Sequence, residues 1–391
     1  MARRASLFAL AALAGGALAA EPMSAGDRAG PAGATLRPVA FADLPGWAAD
    51  DHAAAFAAFL DSCAPIIEGR PEARRGKPGE ETLVAVCRDA VGLPAGADAR
   101  AFFETRFSPF EIIPEGGQGF LTGYYEPEVA GSSVRTAEFA WPIRARPPDL
   151  VTRSPDEPLA GLDPALAAGR RTPEGFAEVP DRAAIEAGAL GDEAPPLLYV
   201  RDEVEAFFIH VQGSARVRLT DGSVARLAYA GRNGHAYTGV GRLLVTEFGL
   251  TPEDVTLEKL KAWLRAHPEE GRALMRRNRS FIFFRVADEL RAGEGPIGGA
   301  GVPLRPGRAL AIDRNLWSYG LPFFVAADVA QEVEPSARIA RLTIAQDTGS
   351  AILGPARGDL FFGAGEEMGR RAGSLRHAAR FVVLLPREGR G

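Results

Sequence analysis

Beyond residue 50 the apolar positions fall at helical intervals. Phe56, Phe59, Leu60 and Cys63 follow the i, i+3, i+4, i+7 rule behind Asp50 or Asp51, either of which can cap the helix. Leu83, Val84, Val86 and Cys87 predict a second helix, and the Ala101-Phe102-Phe103 region a third. From Gly119 the pattern changes to short apolar runs with turns, and Phe120 to Glu126 predicts a strand ended by Pro127. Residues 135–195, rich in Pro, Arg and acids, read as long surface loops with one short helix at Asp181 to Ala189. Phe207 to Ser214 reads as a strand, followed by a hairpin of Val217 to Thr220 and Val224 to Tyr229 around an Asp221-Gly222 turn. Leu257, Leu260 and Leu264 mark a helix, Pro268 opens another carrying Leu274 and Met275, and Ser280 to Phe284 predicts a strand. The remainder, through Phe381 to Leu385, reads as strands and turns.

This pattern predicts a mainly β chain with N-terminal helices, an α+β class in which helices wrap ahead of a sheet. With 391 residues and 46% apolar composition the chain can fill two cores. A net charge near −5 with both signs interspersed leaves no basic footprint, so no nucleic-acid partner is expected. Arg3 and Arg4, the apolar run Leu7 to Ala14 and the small residues up to Ala20 predict a cleaved secretory signal over residues 1–20, with a Gly/Pro/Ala-rich linker over 21–36. The mature protein is then expected in the periplasm. No Cys near that cleavage site could accept a lipid, which speaks against outer-membrane attachment. In an oxidising compartment Cys63 and Cys87 can form one disulfide or remain two buried thiols. His52, His210, His235, His267 and His377 are scattered, so neither metal nor cofactor is expected.

Chemistry concentrates near the C-terminus. Asp347 and Asp359 stand twelve residues apart, each where an apolar segment meets a Gly-rich turn, and Asp313 ends the run Leu310-Ala311-Ile312. Acids in such places are candidates for catalysis, but an Asp beside Gly also caps turns, and spacing alone does not separate the two roles. Tyr124, Tyr125, Trp141, Trp317 and Tyr319 offer flat faces for sugar rings or serve as ordinary core aromatics. Gln212-Gly213-Ser214 and the Gly231 to Gly239 segment carry amide and hydroxyl groups suited to a glycan; a phosphate loop would need a Gly-Lys-Ser/Thr ending that is missing. No Gly-x-Ser-x-Gly elbow and no Cys near a His is present, so carboxylate chemistry is the best supported option.

Five ordered motifs carry a resemblance. They are Gly123-Tyr124-Tyr125-Glu126-Pro127; Val211 to Ser214 with Arg216; Tyr229 through Asn233-Gly234 to Tyr237-Thr238; Asn278 to Phe284; and the acids Asp313, Asp347 and Asp359. Over roughly residues 36 to 386 the chain resembles the membrane-bound lytic murein transglycosylase A family. The resemblance implies a double-psi β-barrel built from residues 37–122 and 285–391, a family-specific second β-barrel domain inserted at 123–284, and a glycan groove between them. It implies cleavage of the β-1,4 bond between N-acetylmuramic acid and N-acetylglucosamine without water, leaving 1,6-anhydromuramoyl ends. The catalytic acid position matches Asp359, with Asp347 and Asp313 as supporting acids. Tyr124, Tyr125, Gln212, Gly213, Ser214, Asn233, Tyr237 and Gly349 are the expected glycan contacts. Peptidoglycan strands are the implied partner of a monomer, with cell-wall synthesis or division proteins as further candidates. A non-catalytic glycan-binding barrel and an ordinary glycoside hydrolase using Asp347 or Asp313 as base are the competing readings.

Overall fold

The computed structural model describes residues 26–154, 156–251 and 255–387, so the export-signal reading lies outside the described residues. Helix and sheet are mixed. The chain opens with strands β1 (Arg28–Ala29) and β2 (Ala34–Pro38), then helices α1 (His52–Glu68), α2 (Glu81–Val91) and α3 (Ala99–Arg106). Asp51 caps α1 by accepting the Ala54 N–H at 3.0 Å, and Asp98 caps α3 through Ala101. Phe56 and Phe59 of α1 meet Phe102 and Phe103 of α3 with ring centroids 5.0–6.1 Å apart, so the helical stripe read from the sequence is the packed face. Cys63 and Cys87 are disulfide-bonded, clamping α1 to α2 across 24 residues. Replacing both with Ser is expected to lower unfolding free energy by about 3–4 kcal/mol, the loop-closure contribution for a loop of that size. A denaturant titration of the double variant checks this, and an unchanged midpoint would show that the helices hold without the bridge.

Strands β3 (Phe107–Pro114) and β4 (Gly119–Glu126) follow. The chain then leaves for a second region comprising β5 (Glu128–Ser132), β6 (Trp141–Arg144), β7 (Leu150–Thr152), β8 (Ala168–Thr172), β9 (Gly175–Ala177), α4 (Arg182–Glu186), β10 (Pro196–Val200), α5 (Glu203–Gln212), β11 (Ser214–Leu219), β12 (Val224–Arg232), α6 (Val240–Phe248), α7 (Leu257–Ala266), α8 (Pro268–Arg276) and β13 (Ile282–Val286). It returns for β14 (Ala309–Ala311), β15 (Pro322–Asp328), β16 (Arg338–Asp347), β17 (Arg357–Ala364), α9 (Glu366–Ser374) and β18 (Arg376–Pro386). The first and last parts share a nine-stranded sheet ordered β1-β2-β3-β18-β15-β16-β14-β17-β4, and β4 also pairs back onto β18. The second region carries a six-stranded sheet, β13-β12-β11-β5-β10-β6, and a three-stranded sheet, β7-β8-β9.

Glu126 stands where the chain passes from the nine-stranded to the six-stranded sheet, and it is wholly buried. Arg216 Nε donates to its carboxylate at 2.7 Å and Arg226 Nη2 at 3.0 Å. Both guanidiniums also donate to the Glu294 carbonyl, on the segment that leads back to the first sheet. The outgoing and returning crossings are therefore tied at one point.

Three sequence expectations need correction. Phe207 to Gln212 is not a strand but the body of α5, whose Val204, Phe207, Phe208 and Val211 fall at helical intervals behind the Asp202 cap. Asp202-x-x-Glu205 is a start signal that the β-rich composition obscures. Residues 135–195 are more than loops: they hold β6 to β9 and α4, and Leu150, Ala168, Val179 and Ile185 join Phe281 and Phe283 in a buried cluster. The C-terminal part also contains α9, whose weak apolar content hides it. Its Gly369 lies against the Tyr125 ring, where a Cβ would come within 2.8 Å.

Candidate active site

The short strand β14 brings the two spaced acids together. It runs parallel to β16 and antiparallel to β17, so Ala311 faces Asp347 on one side and Asp359 on the other. A bulge in β16 makes this register, since two residues on β16 oppose one step on β14. Gln346, just before Asp347, is buried and donates to the Ala58 carbonyl and Ser62 Oγ of α1 at 2.8 and 2.9 Å. Asp347 is thereby turned toward the cleft.

On the other side β4 runs parallel to β17, with Thr122 opposite Asp359 and Tyr124 opposite Phe361. Strand alternation sends Thr122 and Tyr124 to the same face. Gly123 between them backs onto Phe362 and α9, where a Cβ would lie 2.9 Å from the Ala372 Cα. The Gly-Tyr-Tyr motif thus combines a close approach, a cleft residue and, in Tyr125, a core residue.

The three acids have different surroundings. Asp313 Oδ1 accepts the Asn315 N–H at 3.0 Å and Oδ2 the Gly354 N–H at 2.9 Å. Asp347 Oδ1 accepts the Gly299 N–H at 2.8 Å and Oδ2 the Tyr124 hydroxyl at 2.9 Å. Asp359 Oδ1 accepts the Thr122 hydroxyl at 2.5 Å, while among the described residues nothing donates to Oδ2. Thr122 Oγ1 itself accepts from Arg357 Nη2 at 2.8 Å, so its proton is directed at Asp359. Burial pushes the Asp359 carboxyl above the usual carboxylate range; the Arg357 charge and the Thr122 hydrogen bond oppose this, and the Asp347 charge adds to it. Burial and the Asp347 carboxylate likewise hold the Tyr124 phenol well above its usual range, so it stays a donor.

The acids face a cavity of about 460 Å³, whose opposite wall comes from the end of α5, from β12 and from the Asn278–Ile282 segment. Tyr124, Gln212, Gly213, Tyr237 and Gly349 line it together with Asp313, Asp347 and Asp359. Tyr125, Ser214 and Asn233, also expected there, do not. Tyr125 points to the core side of β4 and its hydroxyl accepts from Lys261 Nζ at 3.2 Å. Asn233 is fully buried, donating to the Pro180 and Arg279 carbonyls and accepting the Phe281 N–H, which fixes β12 to its neighbours. Ser214 is buried at the start of β11. Gln212 also bridges the halves, its Oε1 accepting the Tyr125 N–H at 3.2 Å. Trp317 and Tyr319 are buried, the first donating to the Pro355 carbonyl and the second to the Arg74 carbonyl, and Trp141 lies on β6.

Sequence reasoning missed Thr122 and the cleft arginines Arg74, Arg232, Arg314 and Arg357. Thr122 had a signal, being two residues before Tyr124 on one strand; the arginines come from separate segments with no shared local pattern. Among the described residues no group of three or more His, Cys, Asp or Glu could hold a metal ion.

The chain is similar to known proteins in both sequence and fold. The profile of the MltA specific insert domain matches residues 120–285 and that of the 3D domain residues 308–385. A membrane-bound lytic murein transglycosylase from Agrobacterium tumefaciens has a similar solved structure, with TM-score 0.82 and 40% identity over 90% of this chain and 97% of its own. Escherichia coli MltA with bound chitohexaose aligns with TM-score 0.63 and 26% identity over 85% of this chain and 89% of its own. Membrane-bound lytic murein transglycosylase A of Escherichia coli strain K12 is 30% identical over 311 residues, covering 76% of this chain and 75% of the relative. Sharing that level of identity over three quarters of both chains, and a common fold with the solved members, the chain belongs to the membrane-bound lytic murein transglycosylase A family.

Proposed function

We propose that this chain is a peptidoglycan lytic transglycosylase in which Asp359 alone performs the proton chemistry. The observation that carries the assignment is the contrast among the acids. Asp313 and Asp347 have both oxygens engaged by N–H or O–H donors, while Asp359 has one oxygen uncommitted among the described residues and a carboxyl biased toward protonation. Because Thr122 donates to Oδ1, the acid proton belongs on Oδ2.

Protonated Asp359 gives that proton to the glycosidic oxygen as the bond to the muramoyl C1 breaks. The resulting carboxylate takes the proton of the C6 hydroxyl as that oxygen closes onto C1, which returns the enzyme to its starting state. The product is a 1,6-anhydromuramoyl end and a free N-acetylglucosamine hydroxyl, with no water consumed. Attachment of the nucleophile to the reacting ring supplies the proximity advantage. Asp347, held as an acceptor by Tyr124 and Gly299, places negative charge near the developing oxocarbenium centre. An ordinary hydrolase would need a second carboxylate free to attack or to activate water. Neither Asp313 nor Asp347 offers an uncommitted oxygen.

The strand circuit β18-β15-β16-β14-β17-β4-β18 supports reading the first sheet as a double-psi β-barrel, formed by residues 37–122 and 285–391 around an inserted 123–284 domain. Export to the periplasm is the reading that fits a peptidoglycan substrate. Mass spectrometry of digested sacculi tests the function: anhydro ends support it, and reducing ends or uncut strands would reject it.

The raised Asp359 pKa sets the pH dependence. The acid must be protonated, so kcat is expected to be full at low pH and to fall as pH rises through a value above the ordinary carboxyl range near ~3.9. Thr122→Val removes a hydrogen bond that favours the carboxylate, so its alkaline limb should move to higher pH. A pH–rate profile that stays in place would deny Thr122 this influence on Asp359.

A further inference from the structure

The cleft contains a second charged cluster that the proton chemistry does not use. Arg74, Arg232 and Arg314 all line it, half-buried, and none forms an ion pair among the described residues. Arginines elsewhere in the molecule are commonly paired, as Arg170 is with Asp149 and Glu193. Glu72, whose carboxyl feels the Arg314 charge, spends Oε2 on the Gly76 N–H.

Two of the three side chains are also held in place. Arg232 and Tyr229 are three residues apart on β12, a spacing that would put them on opposite faces of a regular strand. A bulge between Tyr229 and Gly231 corrects this, and both line the cleft. The Arg74 guanidinium carbon then sits over the Tyr229 ring, 3.9 Å from its centroid, and Arg74 donates through Nη1 to the Thr348 carbonyl at 2.5 Å. Arg232 Nη1 donates to Ser350 Oγ at 2.6 Å. The Thr348–Ser350 turn after Asp347 therefore holds two guanidiniums in place while most of their donors are left unused among the described residues. Arg314 directly follows Asp313 and makes no side-chain hydrogen bond among the described residues. Burial, together with the Arg314 and Arg74 charges, lowers the Arg232 pKa, with Tyr229 opposing; three cations held this close are relieved by an anion.

The hydroxyls and N-acetyl groups of a glycan are neutral and need no such cluster. Carboxylates on the muramoyl side group do, whether the lactyl carboxylate of a bare strand or the free carboxylates of a peptide stem. We infer that Arg74, Arg232 and Arg314 form a receptor for a carboxylate carried by the muramoyl residue, making the enzyme selective for anionic over neutral glycan. This rests on peptidoglycan being the substrate.

The test pairs substrate charge with enzyme charge. Bare strands and stem-bearing strands are each prepared native and with carboxylates converted to methylamides, and anhydro products are quantified for the wild type, Arg232→Gln and Arg314→Gln. Amidation should raise the wild-type KM by about tenfold on at least one strand type, and much less in the variants. The wild-type preference should also shrink as salt is raised. Loss on bare strands identifies the lactyl carboxylate, and loss on stemmed strands alone identifies the stem. Indifference of the wild type to amidation overturns the inference, as does an equal amidation effect in wild type and variants. Because the wild-type arm needs no substitution, a variant that fails to fold does not shield the inference. Absence of anhydro product from every strand would instead reject the transglycosylase assignment itself.

Discussion

Asp359→Asn is expected to cut anhydro-product formation by about 10²–10⁴-fold, the usual contribution of a single general acid–base group. The substitution is nearly isosteric and keeps an oxygen to accept the Thr122 hydroxyl, so the strand pairing with Thr122 and Ala311 should persist. What is lost is a group that can release a proton to the leaving oxygen and later retake one. Glycan affinity and thermal midpoint should stay near those of the parent protein. Turnover of the variant within tenfold of the parent would take the acid role away from Asp359. Asp347→Asn makes a useful contrast: it retains an acceptor for Tyr124 or Gly299 but removes the negative charge, so its effect should appear in kcat without transferring the pH dependence to another group.

The second large effect is structural. Glu126→Ala should lower unfolding free energy by about 3–5 kcal/mol, because it leaves the buried Arg226 without its counter-charge and the part-exposed Arg216 with only Glu128, 3.5 Å away. Both guanidiniums would still reach the Glu294 carbonyl, which cannot neutralise them. The ion cluster sits where the two sheets exchange chain, so the damage should extend to the cleft they share, raising KM even where the protein remains folded. Chemical denaturation of Glu126→Ala and Glu126→Gln gives the magnitude. A loss below about 1 kcal/mol, the range of an exposed pair, would show that the cluster is not an uncompensated charge when broken.

Local features of the chain were readable where a local rule applied. The α1 stripe of Phe56, Phe59 and Cys63, its Asp51 cap, the Asp221-Gly222 turn and the end of β4 at Pro127 all follow from short-range periodicity and turn chemistry. The errors arose where a local pattern was weak or had a rival. The run Phe207-Phe208-Ile209 is as compatible with a buried strand as with a helix, and only its cap distinguishes them. Helix α9 has few apolar residues because it covers β4 and β17 chiefly through its small residues and Met368.

The acids show the same division. Their positions at the ends of apolar runs, and the motif order that suggested Asp359, were in the sequence. Which acid has a free oxygen was not, since that depends on the Gly299, Tyr124, Asn315 and Gly354 donors, most of them distant in the chain. Tyr124 and Tyr125 are adjacent and chemically alike, yet strand alternation sends one to the cleft and the other to the core. The sequence by itself determined the capped N-terminal helices, the turns and the set of acids, because those rest on interactions between near neighbours or on residue identity, while it left the Cys63–Cys87 bridge open and misread α5. Only the tertiary structure decided which acid is poised to act and where the arginines converge, because burial, hydrogen-bond saturation and charge proximity are set by strands and loops that meet only after the chain has folded.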